Sequence, residues 1–555
     1  MSRDGFGVKM MARAIDEEIS VNLYLLAMLT SCAFVALTTV VAAAEPALPS
    51  ETLGRRIDLD VKRVKGPLNR AYRFSVGSDR AIIHLRPEHQ RDLRFLKQTC
   101  GFEYMRFHGL LNEEMQVVKA APDGQITYDW TNVDRVYDFL VRDLKIRPIV
   151  ELGFMPEPLA SGKQTIFWWK GNVTPPRSYE KWEALIEQLT RHLTQRYGQE
   201  EVRKWYFEVW NEPNLDGFWT GGQAGYFKLY EVSARAVKRV DPAYPVGGPA
   251  TAGYGWIGET LDFCTRNDVP IDFIATHAYG AMEGFLDEQG KGKTMLAPSP
   301  ESVIDGLPDV LGAVRASKWP KLPVLVTEWG PSYSPRDPVH DSYFCASWIL
   351  HRLRQLPDGV AAMSYWTFSD QFEEAGIADK PFHGGFGLLT MQGLPKPGYF
   401  AYRFLNQLGD TELACADANV WACRSERGGV QVLLWDYTHP KQDTPNAQYF
   451  ARDWPAKPTA PVRLAIANLA PGDYTVNVTR VGYRHNDVYT AYLDLGSPAG
   501  RRDKPHFLPD DVLDKLRASC AGAPDTQKVS VRDGEPLALE LPLNENDVYF
   551  LTAEP

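Results

Sequence analysis

The central part of the chain alternates between short apolar runs and longer amphipathic segments. The apolar runs are rich in Val, Ile, Phe and Trp, which is typical of buried parallel strands. The segments between them place apolar residues at helical spacing, as in SYEKWEALIEQLTRHLTQRYG and QAGYFKLYEVSARAVKRV. The eight predicted strands are YRFSVG, YMRFHG, RPIVELG, WYFEVWNEP, PVGGP, DFIATHAYG, PVLVTEWG and AMSYWTFSD.

This alternation predicts an α/β fold. Eight strands that each precede a helix, over residues 71–408, indicate a (β/α)8 TIM barrel. In a barrel of this kind the active site lies at the carboxyl ends of the strands. The residues that follow each apolar run are therefore the first candidates for chemistry.

Beyond the barrel the pattern changes to short runs with alternating apolar and polar residues. GVQVLLWDYT, PVRLAIANL, DYTVNVTRVG and NDVYFLTAEP are separated by Gly, Pro and Asn, which predicts an accessory antiparallel β-sandwich domain over residues 409–555. Residues 45–70 contain IDLDVKRV and are expected to join the sandwich as an edge strand. We expect a stabilising domain, with carbohydrate binding as the alternative.

The N-terminal part carries an uncharged apolar stretch over residues 21–44 that ends in Ala-Ala-Ala. This pattern predicts that residues 1–44 are a signal peptide cleaved near Ala44, or that the stretch stays as an N-terminal membrane anchor. Either alternative predicts export to the periplasm or the exterior. A membrane partner is expected only if the segment is uncleaved.

The composition of the chain limits the kinds of molecule that the protein is expected to bind. The chain of 555 residues is 44% hydrophobic and carries a formal net charge of −10, and it has no basic run that would follow a phosphate backbone. We therefore expect no nucleic-acid partner. Among the cysteines, Cys100, Cys264 and Cys345 are expected to be buried thiols, whereas Cys415 and Cys423 flank a plausible hairpin and predict a disulfide in an oxidising compartment.

Polar and aromatic residues gather where the predicted strands end. Each of them alone has a structural explanation, such as a satisfied core histidine or an internal ion pair. Two glutamates at the ends of the fourth and seventh strands form a stronger signal, because those strands face each other across the barrel mouth. The residues at the strand ends are Arg106, His108, Glu151, Asn211, Glu212, His277, Tyr279, Glu328 and Trp366.

Two facing carboxylates suit the hydrolysis of a glycosidic bond. One carboxylic acid protonates the leaving oxygen while the other carboxylate attacks or stabilises the anomeric centre, and a gap of ~5 Å between them enforces retention. Glu212 is predicted to be the acid/base. Its neighbour Asn211 is predicted to donate its amide to the sugar 2-hydroxyl.

Several blocks of the chain resemble glycoside hydrolase family 39, and in particular its β-xylosidases. Together they span most of residues 70–410, whereas Asn-Glu-Pro alone marks only the wider clan of retaining enzymes. The blocks are MRFHGLL, ELGFMPEPLASG, GNVTPPRSYEKW, FEVWNEPNL, THAY, SYSPRDPVHD, SYWTFSDQFEE and FHGGFGL.

The resemblance implies a role for each matching residue. Glu212 corresponds to the acid/base and Glu328, in VTEWG, to the nucleophile. The expected activity is that of a retaining, exo-acting β-1,4-xylosidase, which releases xylose from xylo-oligosaccharides through a covalent glycosyl-enzyme and needs no cofactor. Implied sugar-binding residues are His108, Asn211, His277, Tyr333, Trp366, Glu373 and Glu374, with Phe218, Trp219 and His383 as weaker candidates for the rim.

Other functions remain open on the sequence. Within the family, α-L-arabinosidase activity and α-L-iduronidase are the alternatives. A non-catalytic sugar-binding protein would use the same aromatic residues without needing both glutamates. A metal-dependent hydrolase would recruit His108, His277 and His383, but these lie in separate elements without His-Glu-x-x-His spacing, so no metal site is assigned.

Overall fold

The computed structural model describes residues 54–282 and 293–555. The predicted signal segment over residues 1–44 lies outside this part of the chain. No helix in the described part is both long enough and apolar enough to cross a bilayer.

The predicted barrel is confirmed. Eight parallel strands close on themselves, and each strand pairs with its neighbours in chain order. Each strand overlaps one of the runs predicted from the sequence, although the bounds differ by several residues at the first and eighth strands. The strands are Ser75–Arg80, Tyr104–His108, Arg147–Leu152, Tyr206–Val209, Val246–Ala252, Phe273–Tyr279, Val324–Gly330 and Val360–Tyr365.

One helix follows each strand and covers the outside of the barrel. The third helix begins where the side chain of Ser178 accepts a hydrogen bond from the backbone N–H of Lys181, a typical N-terminal cap. The second helix continues into a π-helical turn over Asp138–Asp143. The eight helices are Pro87–Cys100, Thr131–Tyr137, Tyr179–Tyr197, Gly222–Val240, Ile257–Asn267, Leu307–Ala316, Phe344–Arg354 and Pro397–Gln407.

Short strands, helices and 3₁₀ turns occur in the segments between the main elements. Within residues 54–282 and 293–555, three two-stranded antiparallel pairs follow barrel strands: Val118–Ala120 with Ile126–Tyr128, Thr165–Ile166 with Gly171–Asn172, and Ala281–Met282 with Met295–Leu296. The remaining α-helices are Gln199–Val202, Asn446–Tyr449, Val488–Asp494 and Asp510–Ser519, and the 3₁₀ turns are Ala71–Arg73, Ala81–Leu85, Glu113–Met115, Glu157–Leu159 and Pro338–His340.

The interior of the barrel changes from apolar to charged along the strands. Tyr104, Ile149 and Phe273 belong to an apolar cluster within the barrel. Side chains on a strand alternate between its two faces, so the next inward position after Tyr104 is Arg106 and the next after Ile149 is Glu151. Both are fully buried. The barrel therefore has an apolar floor and a charged upper layer at its carboxyl end.

The remaining strands form two packed sheets. Ile57, Leu464, Val432, Val476 and Leu551 meet in the core between them. Strand pairs are antiparallel except one, since the edge strand Arg55–Asp60 runs parallel to Val462–Ala467. The smaller sheet contains these two strands and Leu537–Leu541, and the larger contains, in order, Val64–Pro67, Thr411–Leu413, Val420–Arg424, Val430–Trp435, Val548–Glu554, Gly472–Val481 and Asp525–Val531.

The predicted disulfide between Cys415 and Cys423 is wrong. Both cysteines are free thiols in the structure, as are Cys100, Cys264 and Cys345. The hairpin does form, but its register places Cys423 opposite Glu412. Cys423 packs into the core shared with the barrel, whereas Cys415 packs against the core of the sandwich. The two thiols thus face opposite sides of the sheet and cannot meet without backbone movement.

Candidate active site

The end of the fourth barrel strand turns Glu212 into the barrel mouth. Trp210 and Glu212 adopt φ values of 71° and 45°, in the left-handed region that costs a non-glycine residue about 1–2 kcal/mol. The backbone N–H of Glu212 donates a 2.9 Å hydrogen bond to the carbonyl of Ala250 on the fifth strand. The neighbouring strand thereby fixes the turn that aims the carboxylate inward.

Glu212 meets a buried histidine. Nδ1 of His277, at the end of the sixth strand, lies 2.9 Å from Oε1 of Glu212. Burial raises the pKa of the Glu212 carboxyl to about 7, and burial lowers the pKa of His277 to about 3. His277 is therefore neutral near pH 7, where Glu212 is balanced between its protonated and ionised forms. A carboxyl with a pKa near 7 is suited to donate a proton in one step and accept one in the next.

Glu328, on the seventh strand, is held by two donors. Nη1 of Arg106 donates to its Oε1 at 2.6 Å, and the hydroxyl of Tyr279 donates to its Oε2 at 2.7 Å. Both contacts stabilise a negative charge on the carboxylate. This is the state that a nucleophilic carboxylate requires.

The two glutamates converge on one point. One ligand atom from each of Glu212, His277 and Glu328 lies within 4.8 Å of the others. A separation of about 5–5.5 Å between the carboxyl groups is that of retaining glycosidases, whereas inverting enzymes need about 6.5–9.5 Å. The same three atoms have the spacing of metal ligands, but the guanidinium of Arg106 already neutralises Glu328 and would repel a cation there.

Arg106 is the centre of a buried charge network beneath the two glutamates. It contacts Glu208 through Nε at 2.6 Å, Glu328 through Nη1 at 2.6 Å and Glu151 through Nη2 at 2.9 Å. Nη2 also donates to Oδ1 of Asn211 at 2.9 Å. That bond fixes the amide of Asn211 and leaves its N–H groups available to a ligand in the mouth.

His108 carries the second buried positive charge. Its Nδ1 lies 2.7 Å from Glu151, and its Nε2 lies 3.4 Å from Glu374 and 3.7 Å from Glu328. Burial alone would lower the pKa of His108, but these carboxylates outweigh it and raise the pKa to about 10. Burial raises the pKa of Glu374 to about 8. A positively charged His108 therefore faces a carboxyl that is largely protonated near pH 7.

Comparison with known proteins agrees with this geometry. The family described as "Glycosyl hydrolases family 39" matches residues 55–503. The chain belongs to glycosyl hydrolase family 39. It is 45% identical over 355 residues to a β-xylosidase of Caldicellulosiruptor saccharolyticus, covering 64% of this chain and 72% of that protein.

Two further relatives of this family 39 glycoside hydrolase are similar over a comparable or larger share. A β-xylosidase of Geobacillus stearothermophilus is 43% identical over 378 residues, which covers 67% of this chain and 74% of that protein. The crystal structure of a monomeric β-xylosidase from Caulobacter crescentus CB15 is 44% identical, with a TM-score of 0.85, and the match covers 90% of this chain and 99% of that one.

The structure brings most of the sequence-predicted residues of the family 39 enzyme together. Besides the contacts above, the indole of Trp366 lies 4.7 Å from the ring of His108 and 5.6 Å from the guanidinium carbon of Arg106. Tyr333, on the loop after the seventh strand, stands edge-on to Tyr279 at 6.4 Å. Both aromatic residues lie beside the groups that hold Glu328.

Other predicted residues occupy different surroundings. Glu373 is paired with Arg86 at 2.7 Å and with Arg80 at 3.0 Å, so guanidinium groups occupy its carboxylate. Trp219 is buried against Trp210 rather than at the rim, and its indole N–H donates to the carbonyl of Gly222. Of the acidic pair after the eighth strand, Glu374 is the one that faces His108.

Glu208 is a residue of the site that the sequence analysis does not identify. It lies inside the fourth strand, three residues before Asn211, and binds Arg106. A charged residue in an otherwise apolar run was the only signal, and it becomes meaningful once Arg106 is known to point to the same layer. The pairing of Arg106 with a carboxylate inside the barrel, one of the structural explanations open for it on the sequence, is confirmed. For Glu151 and Tyr279 the sequence predicts only a place at a strand end.

Proposed function

We propose that this enzyme is a retaining, exo-acting β-1,4-xylosidase that releases xylose from xylo-oligosaccharides. The observation that carries the proposal is that one carboxylate oxygen of Glu212 and one of Glu328 lie within 4.8 Å of each other at the barrel mouth, with donors on Glu328 and a raised pKa at Glu212. The family match and the β-xylosidases among the relatives support the choice of sugar.

In the first step a carboxylate oxygen of Glu328 attacks the anomeric carbon as the bond to the leaving oxygen breaks. Protonated Glu212 gives its proton to that oxygen, so the aglycone leaves as a neutral alcohol. In the second step ionised Glu212 takes a proton from water, and the water oxygen attacks the anomeric carbon and releases Glu328. Two inversions give net retention.

The remaining polar groups suit the hydroxyls of the sugar. The N–H groups of Asn211 are aimed by Arg106, and they suit the 2-hydroxyl because that contact strengthens as charge develops at the anomeric centre. His108 and Glu374 offer a donor and a carboxyl on the side of the second and eighth strands. The backbone N–H of Trp168 donates to the carbonyl of Glu374 at 2.7 Å and so joins the loops that follow the third and eighth strands. The exo mode of action rests on the resemblance to the family's β-xylosidases.

The ionised carboxylate of Glu328 disfavours a further negative charge beside it, since a like charge at ~4 Å costs ~4 kcal/mol at an effective dielectric constant of ~20. Arg106 is saturated by three carboxylates and has no free donor for a uronate. His108 is positively charged, however, and Glu374 is largely protonated near pH 7, so charge alone does not decide between the two sugars. The β-xylosidases among the relatives carry the choice of a xyloside over an α-L-iduronide. Neither argument separates xylose from arabinose, which is also neutral.

The test is a panel of aryl glycosides with the purified enzyme. We expect kcat/KM to be highest for the β-xyloside, with the α-L-arabinoside below it and the β-glucoside and α-L-iduronide far below both. An iduronide value equal to or above that of the xyloside would refute the xylosidase proposal. A higher arabinoside value would make the enzyme an arabinosidase with the same mechanism.

We also propose that the enzyme is exported. Support comes from the apolar stretch at residues 21–44 and its Ala-rich end. N-terminal sequencing of the secreted or periplasmic protein should find a start near Glu45. Recovery of the enzyme from membranes with residues 21–41 attached would indicate the anchor instead.

A further inference from the structure

Trp168 stands out among the large apolar side chains because it is 52% exposed. An indole is a large hydrophobic surface, so leaving half of it in water calls for an explanation. Two other exposed apolar residues, Ile377 and Leu215, occur on loops that follow the eighth and fourth barrel strands. These are the loops that carry Glu374 and that follow Glu212.

The indole is rigidly mounted. Trp168 lies in the hairpin loop between Thr165–Ile166 and Gly171–Asn172, and its backbone N–H donates to the carbonyl of Glu374. A Cβ added to Gly376 would lie 3.3 Å from Cδ1 of Trp168, so the glycine lets the indole rest on the backbone. Nη2 of Arg336 donates to the carbonyl of Gly376 at 2.9 Å and fixes that support.

The hairpin reaches from the sugar pocket to the acid/base side of the mouth. Phe167, the neighbour of Trp168, stacks on His108 at 5.7 Å and stands edge-on to Phe218 at 5.5 Å. Phe218 lies six residues after Glu212. As the proposed acid, Glu212 must face the leaving oxygen, so the aglycone bound to that oxygen lies on the Glu212 side of the barrel mouth. The hairpin borders this side.

We propose that Trp168 is the platform on which the first aglycone sugar of a xylo-oligosaccharide stacks. The apolar face of a pyranose matches an indole whose other side is supported by Gly376. This inference rests on the proposed glycosidase function. It assigns to Trp168 a preference for substrates that carry a sugar on the leaving-group side of the cleaved bond. A second cleft, lined by Gly253, Tyr254, Tyr279, Ser299 and Asp305, is the competing location for the aglycone.

The experiment compares substrates with and without an aglycone sugar. β-D-Xylopyranosyl fluoride has a single atom as leaving group, whereas xylobiose and xylotriose place a sugar beyond the cleaved bond. In Trp168→Ala we expect KM for xylobiose and xylotriose to rise about tenfold, with kcat/KM for the fluoride unchanged. Trp168→Phe keeps a ring and should recover most of the loss.

Phe95→Ala is the matched control, because Phe95 is an exposed aromatic residue on the first barrel helix, away from the mouth. It should leave all three substrates unchanged. An equal loss on the fluoride in Trp168→Ala, or no loss on xylobiose, would overturn the platform. So would a loss on xylobiose in Tyr254→Ala with none in Trp168→Ala. Failure of the unsubstituted enzyme to cleave any of these xylosides would refute the proposed function itself, which distinguishes the two failures.

Discussion

Nδ1 of His277 lies 2.9 Å from Oε1 of Glu212, and both side chains are buried in the barrel mouth. A neutral imidazole has one nitrogen that donates and one that accepts. One neutral tautomer of His277 accepts a hydrogen bond at Nδ1 from protonated Glu212, and the other tautomer donates one from Nδ1 to the ionised form. The change moves a proton between the two ring nitrogens and leaves the charge of His277 unchanged. The contact therefore suits a carboxyl that is proposed to act as acid in one step and as base in the next.

This pairing predicts the pH dependence of the enzyme. Because burial raises the pKa of Glu212 to about 7, its acid form is populated below that pH and lost above it. For a substrate with a poor leaving group, kcat/KM should fall as pH rises through about 7. His277, with a pKa of about 3, should add no limb in the neutral range.

The control is a xyloside with a very good leaving group, which does not need protonation. For this substrate kcat/KM should fall only slightly as pH rises above about 7. In Glu212→Gln the fall of kcat/KM with rising pH should disappear for both substrates. A steep limb that persists in Glu212→Gln would show that another group controls it.

Arg106→Met should destabilise the protein strongly. The substitution leaves Glu208, Glu151 and Glu328 buried without their shared cation, and breaking a buried pair in this way costs about 3–5 kcal/mol. Urea unfolding measures the change in the free energy of unfolding. Activity should fall as well, because Glu328 and Asn211 both lose a contact that positions them.

Arg191→Met provides the comparison. Arg191 forms a surface pair with Glu187 within one helix, and its loss should cost no more than about 1 kcal/mol. Adding Glu208→Gln to Arg106→Met should recover part of the lost stability. Similar costs for Arg106→Met and Arg191→Met would contradict the proposed central role of Arg106.

Gly77→Ala should disturb the pocket through Trp366. A Cβ at Gly77, on the first barrel strand, would lie 2.2 Å from Cε3 of Trp366, so the indole must move. We expect a loss of about 1–3 kcal/mol in stability and a higher KM, since Trp366 packs on His108. Thermal unfolding and steady-state kinetics measure the two effects.

Gly312→Ala is the matched glycine substitution. Gly312 lies in the helix Leu307–Ala316, and a Cβ added there would meet nothing within 4 Å outside the helix's own backbone, so alanine should be neutral or stabilise by up to about 1 kcal/mol. Combining Gly77→Ala with Trp366→Phe should relieve part of the strain. A Gly77→Ala enzyme with unchanged KM would show that Trp366 can shift without affecting the pocket.

The barrel strands were predictable because a parallel strand buried on both faces is an apolar run of its own. The position of Glu212 and Glu328 at the barrel mouth was predictable because both follow apolar strands, and the carboxyl ends of the strands meet there in this fold. Contacts between strands that lie far apart in the sequence were not predictable. The sequence does not show that Glu208 faces Arg106, nor that Trp210 and Glu212 adopt left-handed φ values to turn the strand end inward.

Register and burial explain the failures. A hairpin between Cys415 and Cys423 was visible in the sequence, but the pairing of Glu412 with Cys423 decides which face each thiol occupies. Trp219 is close to Glu212 in the chain, yet the turn between them carries its indole onto Trp210. Both outcomes depend on three-dimensional packing that local patterns do not specify.

The assignment of Glu328 as nucleophile and Glu212 as acid/base is tested most directly by azide rescue of the two alanine variants. In Glu328→Ala, azide should attack from the vacated side and give the α-xylosyl azide. In Glu212→Ala, the covalent intermediate still forms from a substrate with a good leaving group, and azide should then give the β-xylosyl azide. NMR of the products distinguishes the anomers: opposite anomers from the two variants are the predicted result, and the same anomer from both would contradict the assignment.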